Sequence, residues 1–141
     1  MIITKEILKK DPDIEGAFIV EFIWNDKKFD LRLDPDDVSI NETLLLANKI
    51  IGDFEIYLKK AEDVIVKDFL DNYNENWSDS ENGYPKLNEL EFRSNLELHG
   101  INFLSNDCVD VFFNENGMFG NHSLIAQSFD GENFEDSTMY G

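Results

Sequence analysis

Basic residues are scarce in this chain. Its 141 residues include 12 Lys and Arg against 30 Asp and Glu, which gives a formal net charge of −18 at pH 7. Nucleic-acid binding gains much of its free energy when Lys and Arg neutralise phosphates and release counterions, and anionic lipid headgroups repel an acidic surface. The composition therefore argues against nucleic acid and membranes as partners. It favours a basic protein, or else an acidic surface that serves solubility alone.

Long hydrophobic runs are also missing, and there is a single cysteine. No apolar run exceeds four residues, whereas a membrane-spanning helix needs about 20. Near the N-terminus, lysines at positions 5, 9 and 10 follow Ile2 and Ile3, which reverses the basic-then-apolar order of a secretory signal. Cys108 has no second cysteine with which to form an internal disulfide. These features predict a protein of the reducing cytoplasm.

The apolar content is nevertheless sufficient for a folded core. Hydrophobic residues make up 42% of the chain, and 12 of them are Phe. Each buried aromatic side chain removes about 150 to 250 Å² from water, so neither disulfides nor a structural metal is needed. We expect one domain that spans residues 1–141, because a single core stops growing only near roughly 250 residues.

Two segments near the N-terminus have the composition of a β-hairpin. Residues 17–24 and 28–33 are rich in β-branched and aromatic side chains, and the turn-forming residues 25–27 separate them. In the second segment apolar and charged residues alternate, which predicts one buried and one solvated face.

The C-terminal part also has a strand period of two. Residues 109–113 alternate, a turn follows at 114–117, and further strands are predicted at 123–129 and 134–140. A β-bulge at Gly100 would bring the apolar residues on its two sides onto the same face. This segment therefore predicts an antiparallel meander.

The middle of the chain has a helical period. Ser39 and Glu42 fit a capping box, and the apolar spacing of three and four continues to Trp77. One straight helix from residue 40 to 77 would be about 57 Å long, but a globule of this size is roughly 35 to 40 Å across. We therefore expect a break where Gly52 adopts a left-handed conformation and Asp53 caps the next helix. We expect Phe54, Leu58, Ala61, Ile65 and Phe69 to face the sheet, and Glu55, Lys59, Lys60, Glu62 and Lys67 to face solvent.

Together these elements predict an α+β fold. Its antiparallel sheet consists of the N-terminal hairpin and the C-terminal meander, and a long broken helix covers one face.

No motif identifies catalytic residues, metal ligands or a cofactor site. The loop at 78–86 approaches calcium-loop spacing, but Ser78 stands where a carboxylate is expected and Pro85 where the loop would form its short bridge. His99, Cys108 and His122 are scattered along the chain without metal-site or nucleophile spacing. Carboxylate pairs are so numerous that any spacing occurs by chance. We therefore predict no catalytic residue, metal or cofactor.

Short motifs in the C-terminal two thirds are similar to those of other proteins. They are GMFGNHSL at 117–124, FDG at 129–131, a final Gly141 and DNYNENW at 71–77. The chain resembles small uncharacterised bacterial families, from which it departs by an Asn inserted before His122. Those families have no assigned catalytic residues, and the resemblance implies an immunity protein that neutralises a toxin by binding it. The motif makes Phe119, His122 and Ser123 a candidate functional cluster, although the His122 ring could equally bond to the neighbouring turn.

Two functional hypotheses follow. The first is a non-enzymatic binding protein of the bacterial cytoplasm that uses an acidic face against a basic partner such as a nuclease toxin. The second is an enzyme or small-ligand binder with a cleft near His122. The carboxylates that we expect to bind the basic partner are Asp34, Asp36, Asp37, Asp130, Glu132, Glu135 and Asp136.

Overall fold

The computed structural model describes residues 1–141, which form one seven-stranded sheet and three α-helices. A π-helical turn at Tyr73–Trp77 follows the second α-helix directly, and short 3₁₀ turns lie at Lys5–Ile7 and Ser80–Asn82. The elements are β1 (Lys9–Lys10), β2 (Phe18–Trp24), β3 (Lys27–Asp34), α1 (Ile40–Gly52), α2 (Phe54–Asn72), α3 (Glu89–Ser94), β4 (Glu97–Leu104), β5 (Cys108–Asn114), β6 (Ser123–Ser128) and β7 (Asp136–Tyr140).

The strands lie in the sheet in chain order. Every neighbouring pair is antiparallel except β3 and β4, which are parallel. The predicted α+β fold, with its hairpin and its meander, is thus confirmed. The parallel ladder that joins these two parts was not predicted. It arises because the chain leaves the sheet after β3, forms the helical segment and returns in the same direction.

The hairpin between β2 and β3 is tighter than predicted. Lys27 already pairs with Trp24, so only Asn25 and Asp26 form the turn. Both have positive φ, at +50° and +64°. Asn and Asp tolerate this conformation, and two-residue turns with two positive φ angles suit the twist of a hairpin.

The predicted irregularity near Gly100 is present in β4. Leu98 pairs with Phe113 and Gly100 pairs with Phe112, so the extra residue is His99. The bulge returns Leu98 and Ile101 to the same face of the sheet, where both pack in the core.

The helical break falls at the predicted position but has a different cause. The capping box of Ser39 and Glu42 starts α1, and α1 ends at Gly52. Gly52 does not have a positive φ, so the expected left-handed conformation is wrong. Asp53 interrupts the helix instead, with φ −125° and ψ 42°. Its side chain makes no capping hydrogen bond, contrary to prediction, and its backbone carbonyl accepts hydrogen bonds from the amides of Ile56 and Tyr57.

The helices cover one face of the sheet, and the buried face of α2 agrees with the predicted stripe. Leu58 is half-buried, whereas the other four members of the stripe are buried. Lys60 and Glu62 are half-buried rather than fully exposed, because each reaches an oppositely charged side chain. Glu55, Lys59 and Lys67 are exposed as predicted. None of the helices has the length and apolar composition needed to cross a membrane.

Candidate functional site

Three segments that are distant in sequence meet at one end of the sheet. The amide of Ser105, in the β4–β5 turn, donates to the carbonyl of Asp34 at 2.8 Å. The carbonyl of Ser105 accepts from the Thr43 hydroxyl on α1, also at 2.8 Å. Asn106 donates to the Glu42 carboxylate at 3.3 Å. The end of β3, the start of α1 and the β4–β5 turn therefore form one surface.

The loop between β6 and β7 joins this surface through Gly131. Gly131 is buried and has a φ of +70°. A Cβ atom at this position would lie 2.9 Å from Leu46 Cδ1 and 3.6 Å from the Asp107 carbonyl oxygen. Only glycine combines this backbone conformation with such close packing, so Gly131 brings the loop against α1 and the β4–β5 turn.

We call the resulting surface the acidic end. Its carboxylates form no ion pair with any Lys or Arg. All are exposed except Asp34, which is half-buried. The acidic end comprises Asp34, Asp36, Asp37, Glu42, Asp107 and Asp130.

Exposed apolar side chains lie among these carboxylates. Leu45 is 74% exposed, Phe129 is 58% exposed and Leu104 is 43% exposed. Leu45 lines a shallow depression of about 300 Å³ with Glu42, Asp130 and Lys49, whose ammonium is directed to the Gly131 carbonyl and to Glu132. Leu104 immediately precedes the turn that carries Asp107, and Phe129 immediately precedes Asp130. Apolar side chains surrounded by polar groups are typical of protein-binding surfaces.

Asp130 has a structural role in addition to its charge. Its Oδ1 accepts from the amides of Glu132 and Asn133 at 2.8 Å, and the Ser128 hydroxyl donates to the same oxygen. These hydrogen bonds, foremost those from the two amides, hold the pKa of Asp130 well below its usual range. Asp130 therefore stays ionised and orders the loop.

The remaining predicted carboxylates are not part of the acidic end. Glu132 forms ion pairs with Lys49 and Lys60 and accepts the Tyr57 hydroxyl. The hydrogen bond from Lys49 is the main reason why the pKa of Glu132 is lowered. Glu135 and Asp136 instead line a groove between α2 and β7.

Phe119, His122 and Ser123 have different surroundings in the structure. Phe119 is fully buried, with its ring against those of Phe69, Tyr73, Trp77 and Phe92. It is a core residue.

His122 bonds to the neighbouring turn, which was the alternative reading of the motif. Its Nδ1–H donates to the Phe119 carbonyl at 2.5 Å, because a carbonyl oxygen can only accept. The His122 ring also lies edge-on to Trp77. Ser123, by contrast, lines a groove on the uncovered face of the sheet.

That groove has a volume of about 590 Å³ and contains an imidazole that the sequence motif did not indicate. The side chain of His99 enters it because His99 is the extra residue of the bulge. Lys28, Tyr140 and Ser123 also line the groove. The only sequence signal for this imidazole was that His99 precedes Gly100, where a bulge was expected. That signal does not predict a groove.

Arg32 lines the same groove and forms an ion pair with a buried carboxylate. Its Nε donates to Asp11 Oδ2, and the Asp11 side chain has no exposed surface. The pKa of Asp11 is lowered, first by the Asp13 amide that donates to it and then by Arg32. This pair anchors the segment before β2 to the sheet.

Residues 9–139 match the model of DUF2262, which is described as an uncharacterised protein conserved in bacteria. The chain belongs to this family. The match confirms the predicted membership of an uncharacterised bacterial family and extends it beyond the C-terminal two thirds. No curated protein and no solved structure matches the chain.

The single thiol of this DUF2262 protein is poorly reactive. Burial is the main reason why the pKa of Cys108 is raised to about 11, and a hydrogen bond to Asp107 adds to the effect. The thiol is therefore protonated at neutral pH and is a weak nucleophile. No group of three or more His, Cys, Asp or Glu side chains is arranged to hold a metal ion.

Proposed function

We propose that this DUF2262 protein binds a basic protein partner through its acidic end. The observation that supports the proposal is the combination of six carboxylates without ion pairs at one end of the sheet and the exposed apolar residues beside them, Leu45 in the same depression and Leu104 and Phe129 next to the loops of Asp107 and Asp130. The two kinds of side chain have different effects on binding.

The carboxylates act mainly on the rate of association. Charges that are complementary across an interface steer the encounter and can raise the association rate constant from about 10⁵–10⁶ to about 10⁸ M⁻¹s⁻¹ or more at low salt. The formal charge of −18 extends this attraction over the whole molecule.

Leu45, Phe129 and Leu104 act mainly on the rate of dissociation. Burial of apolar surface contributes about 25 cal/mol per Å² before the costs of association. The apolar side chains would lie at the centre of the interface, where residues that dominate affinity are found, and the carboxylates at its rim.

An immunity protein is the functional class that we favour. The motifs at 117–124 and 129–131 resemble those of families with this implied function. A nuclease toxin fits the acidic end, because a surface that binds nucleic-acid phosphates is itself basic. In this proposal the protein acts in the bacterial cytoplasm, neutralises the toxin by covering that surface and catalyses no reaction.

The proposal can be tested by affinity capture from the native host, followed by kinetics with the captured basic protein. The quadruple variant Asp36→Asn, Asp37→Asn, Glu42→Gln and Asp107→Asn should associate at least tenfold more slowly at low salt. Wild-type association should itself slow steeply between 0.01 and 0.15 M salt, as the Debye length falls from about 30 to about 8 Å.

A second quadruple variant is the matched control. It changes the net charge equally at exposed carboxylates outside the acidic end, and it should retain most of the wild-type rate. Equal slowing of both variants would show a general charge effect and reject the acidic end as the interface. Recovery of no basic partner would count against the whole proposal. The control substitutions are Glu55→Gln, Asp71→Asn, Glu75→Gln and Glu81→Gln.

A second pair of variants tests the contribution of the exposed apolar side chains. Leu45 is 74% exposed in the acidic end, and Leu90 is 77% exposed on α3. Leu45→Ala should accelerate dissociation at least tenfold, whereas Leu90→Ala should leave it unchanged. A complex that tolerates Leu45→Ala would place the interface elsewhere.

A second candidate function is binding of a small ligand, or an enzymatic reaction, in the groove on the uncovered face. The observation that favours it is the convergence of His99, Lys28 and Tyr140 on a volume of about 590 Å³. A screen of metabolite mixtures by NMR would test it. Ligand-dependent shifts that His99→Ala abolishes and His122→Ala retains would favour this function over the acidic end.

A further inference from the structure

The two outer edges of the sheet differ in how they are protected. An outer strand exposes unpaired backbone groups that can pair with another chain, and proteins commonly block such edges with short strands and lysines. The β1 edge has both devices, since β1 is only Lys9–Lys10, although it covers just Phe18 and Ile19 of β2. The β7 edge has neither, because β7 is five residues long and contains no Lys or Pro.

One side of β7 is paired and the other is free. All five residues of β7 pair with β6. The strand order ends at β7, so its opposite edge has no neighbour in the sheet. The helix α2 packs beneath the strand, where Asp68 accepts the Ser137 hydroxyl at 2.5 Å. Pairing with β6 and packing on α2 thus hold β7 in an extended conformation, while the backbone groups of its outer edge have no partner strand.

The free edge of β7 has a definite chemical character. Thr138 and Tyr140 are exposed and alternate with Ser137 and Met139, which face α2 and the core, and Tyr140 is 72% exposed. Asp136, at the start of the strand, is exposed beside the groove between α2 and β7. Asp68 and Glu135 add exposed negative charge around the first half of the strand, and it exceeds the positive charge of Lys60 and Lys67, which line the groove with Asp63, Glu135 and Asp136. The edge is therefore acidic at its start and aromatic at its end.

We propose that the free edge of β7 accepts a basic, extended segment of another protein as an eighth strand. Backbone hydrogen bonds to β7 would supply the binding, and side chains on alternate positions would supply specificity. A Lys or Arg beside Asp136 and an apolar residue beside Tyr140 complement the edge. This surface is separate from the acidic end, and the inference does not depend on the proposed function.

A second copy of the chain is a poorer occupant of the same edge. Pairing between two β7 strands would bring together two molecules that each carry a formal charge of −18. It would also bring Glu135, Asp136 and Asp68 of both copies close to one another, and like charges across a strand pair are destabilising. Charge complementarity thus selects a basic segment.

The probe for the test is a nine-residue synthetic peptide in which Lys and Val alternate. Its control is the same peptide N-methylated at every residue, which keeps the charge but cannot donate backbone hydrogen bonds. At 0.15 M salt the unmodified peptide should bind the full-length protein at least tenfold more tightly. Chemical-shift changes and slowed amide exchange should concentrate in residues 136–140.

Two variants test whether the peptide binds at the free edge of β7. Thr138→Lys puts a lysine in the middle of the edge, as in β1, and should weaken peptide binding at least tenfold. Ser80→Lys makes the same charge change in the exposed Ser80–Asn82 turn and should bind as the wild type does. Asp136→Asn, which keeps the strand intact, should weaken binding to a smaller extent.

Three outcomes would overturn the inference. The first is equal affinity of the two peptides, which would show binding by charge alone. The second is a response confined to other surfaces; shifts at Asp36, Glu42 and Asp107 would support the acidic end and leave β7 without a partner strand. The third is a dimer without peptide, observed by sedimentation and abolished by Thr138→Lys, which would make a second copy the occupant.

Discussion

Substitution of Gly131 by Ala should destabilise the fold and disturb the acidic end together. The residue is buried with φ at +70°, and a Cβ atom would lie 2.9 Å from Leu46 Cδ1. A non-glycine residue in the left-handed region costs about 1 to 2 kcal/mol. Displacement of the buried Leu46 side chain is overpacking, which typically costs about 1 to 3 kcal/mol.

One effect acts in the opposite direction. Alanine reduces the conformational entropy of the unfolded chain, which offsets the cost by about 0.4 to 1 kcal/mol. The net loss should therefore be about 1 to 4.6 kcal/mol. With an unfolding entropy of about 2.1 cal/mol/K per residue, this loss corresponds to a fall in Tm of about 3 to 16 °C.

Gly52→Ala is the matched control for this prediction. Gly52 is exposed, its φ is not positive, and an added Cβ would meet nothing within 4 Å. Because Gly in a helix is less favourable than Ala by roughly 0.5 to 1 kcal/mol, Gly52→Ala should leave Tm unchanged or raise it slightly. Thermal unfolding followed by circular dichroism measures both variants. Equal Tm values would refute the argument that Gly131 is required by conformation and packing.

Phe119→Ala should lose about 3 to 5 kcal/mol in urea unfolding, because the Phe119 ring is fully buried among four other aromatic rings; a loss below about 1 kcal/mol would contradict its place in the core. The lowered pKa of Asp11, caused first by the Asp13 amide and then by Arg32, means that its ionised form stabilises the fold above about pH 4 and that this contribution disappears as pH falls through the folded-state pKa. The stability difference between wild type and Asp11→Asn should therefore shrink between pH 6 and pH 3, and a constant difference would show that ionisation is not involved. Alkylation of Cys108 by iodoacetamide should be slow at pH 7.5 and should accelerate toward pH 11, since its pKa is about 11; fast modification at pH 7.5 would contradict the raised pKa.

Local patterns predicted most of the elements of this fold. The stripe from Phe54 to Phe69 identified the buried face of α2, because residues three and four apart lie on one side of a helix regardless of what they pack against. The capping box at Ser39 could also be predicted, because it involves only two residues that are three positions apart. The conformation of Gly52 was wrong because a helix can also be broken by one non-helical residue, here Asp53, without a left-handed glycine.

The site was less predictable, because the availability of a carboxylate depends on distant partners. Glu132 and Asp130 both belong to the acidic cluster in the sequence. Glu132 is occupied by Lys49, Lys60 and Tyr57, which belong to other parts of the chain. Similarly, Glu42 and Asp107 join the acidic end only through the folding of the β4–β5 turn against α1.

The parallel ladder between β3 and β4 has a consequence for synthesis on the ribosome. The hairpin of β2 and β3 is complete once residue 34 has emerged, but β4 follows only after residues 35–96. At about 5 to 20 residues per second, the β3 edge stays unpaired for roughly 3 to 12 s. During this interval it is a possible template for aggregation. Lys28, Asp30, Arg32 and Asp34, which alternate with its apolar residues, give the nascent edge charges that oppose pairing with other chains.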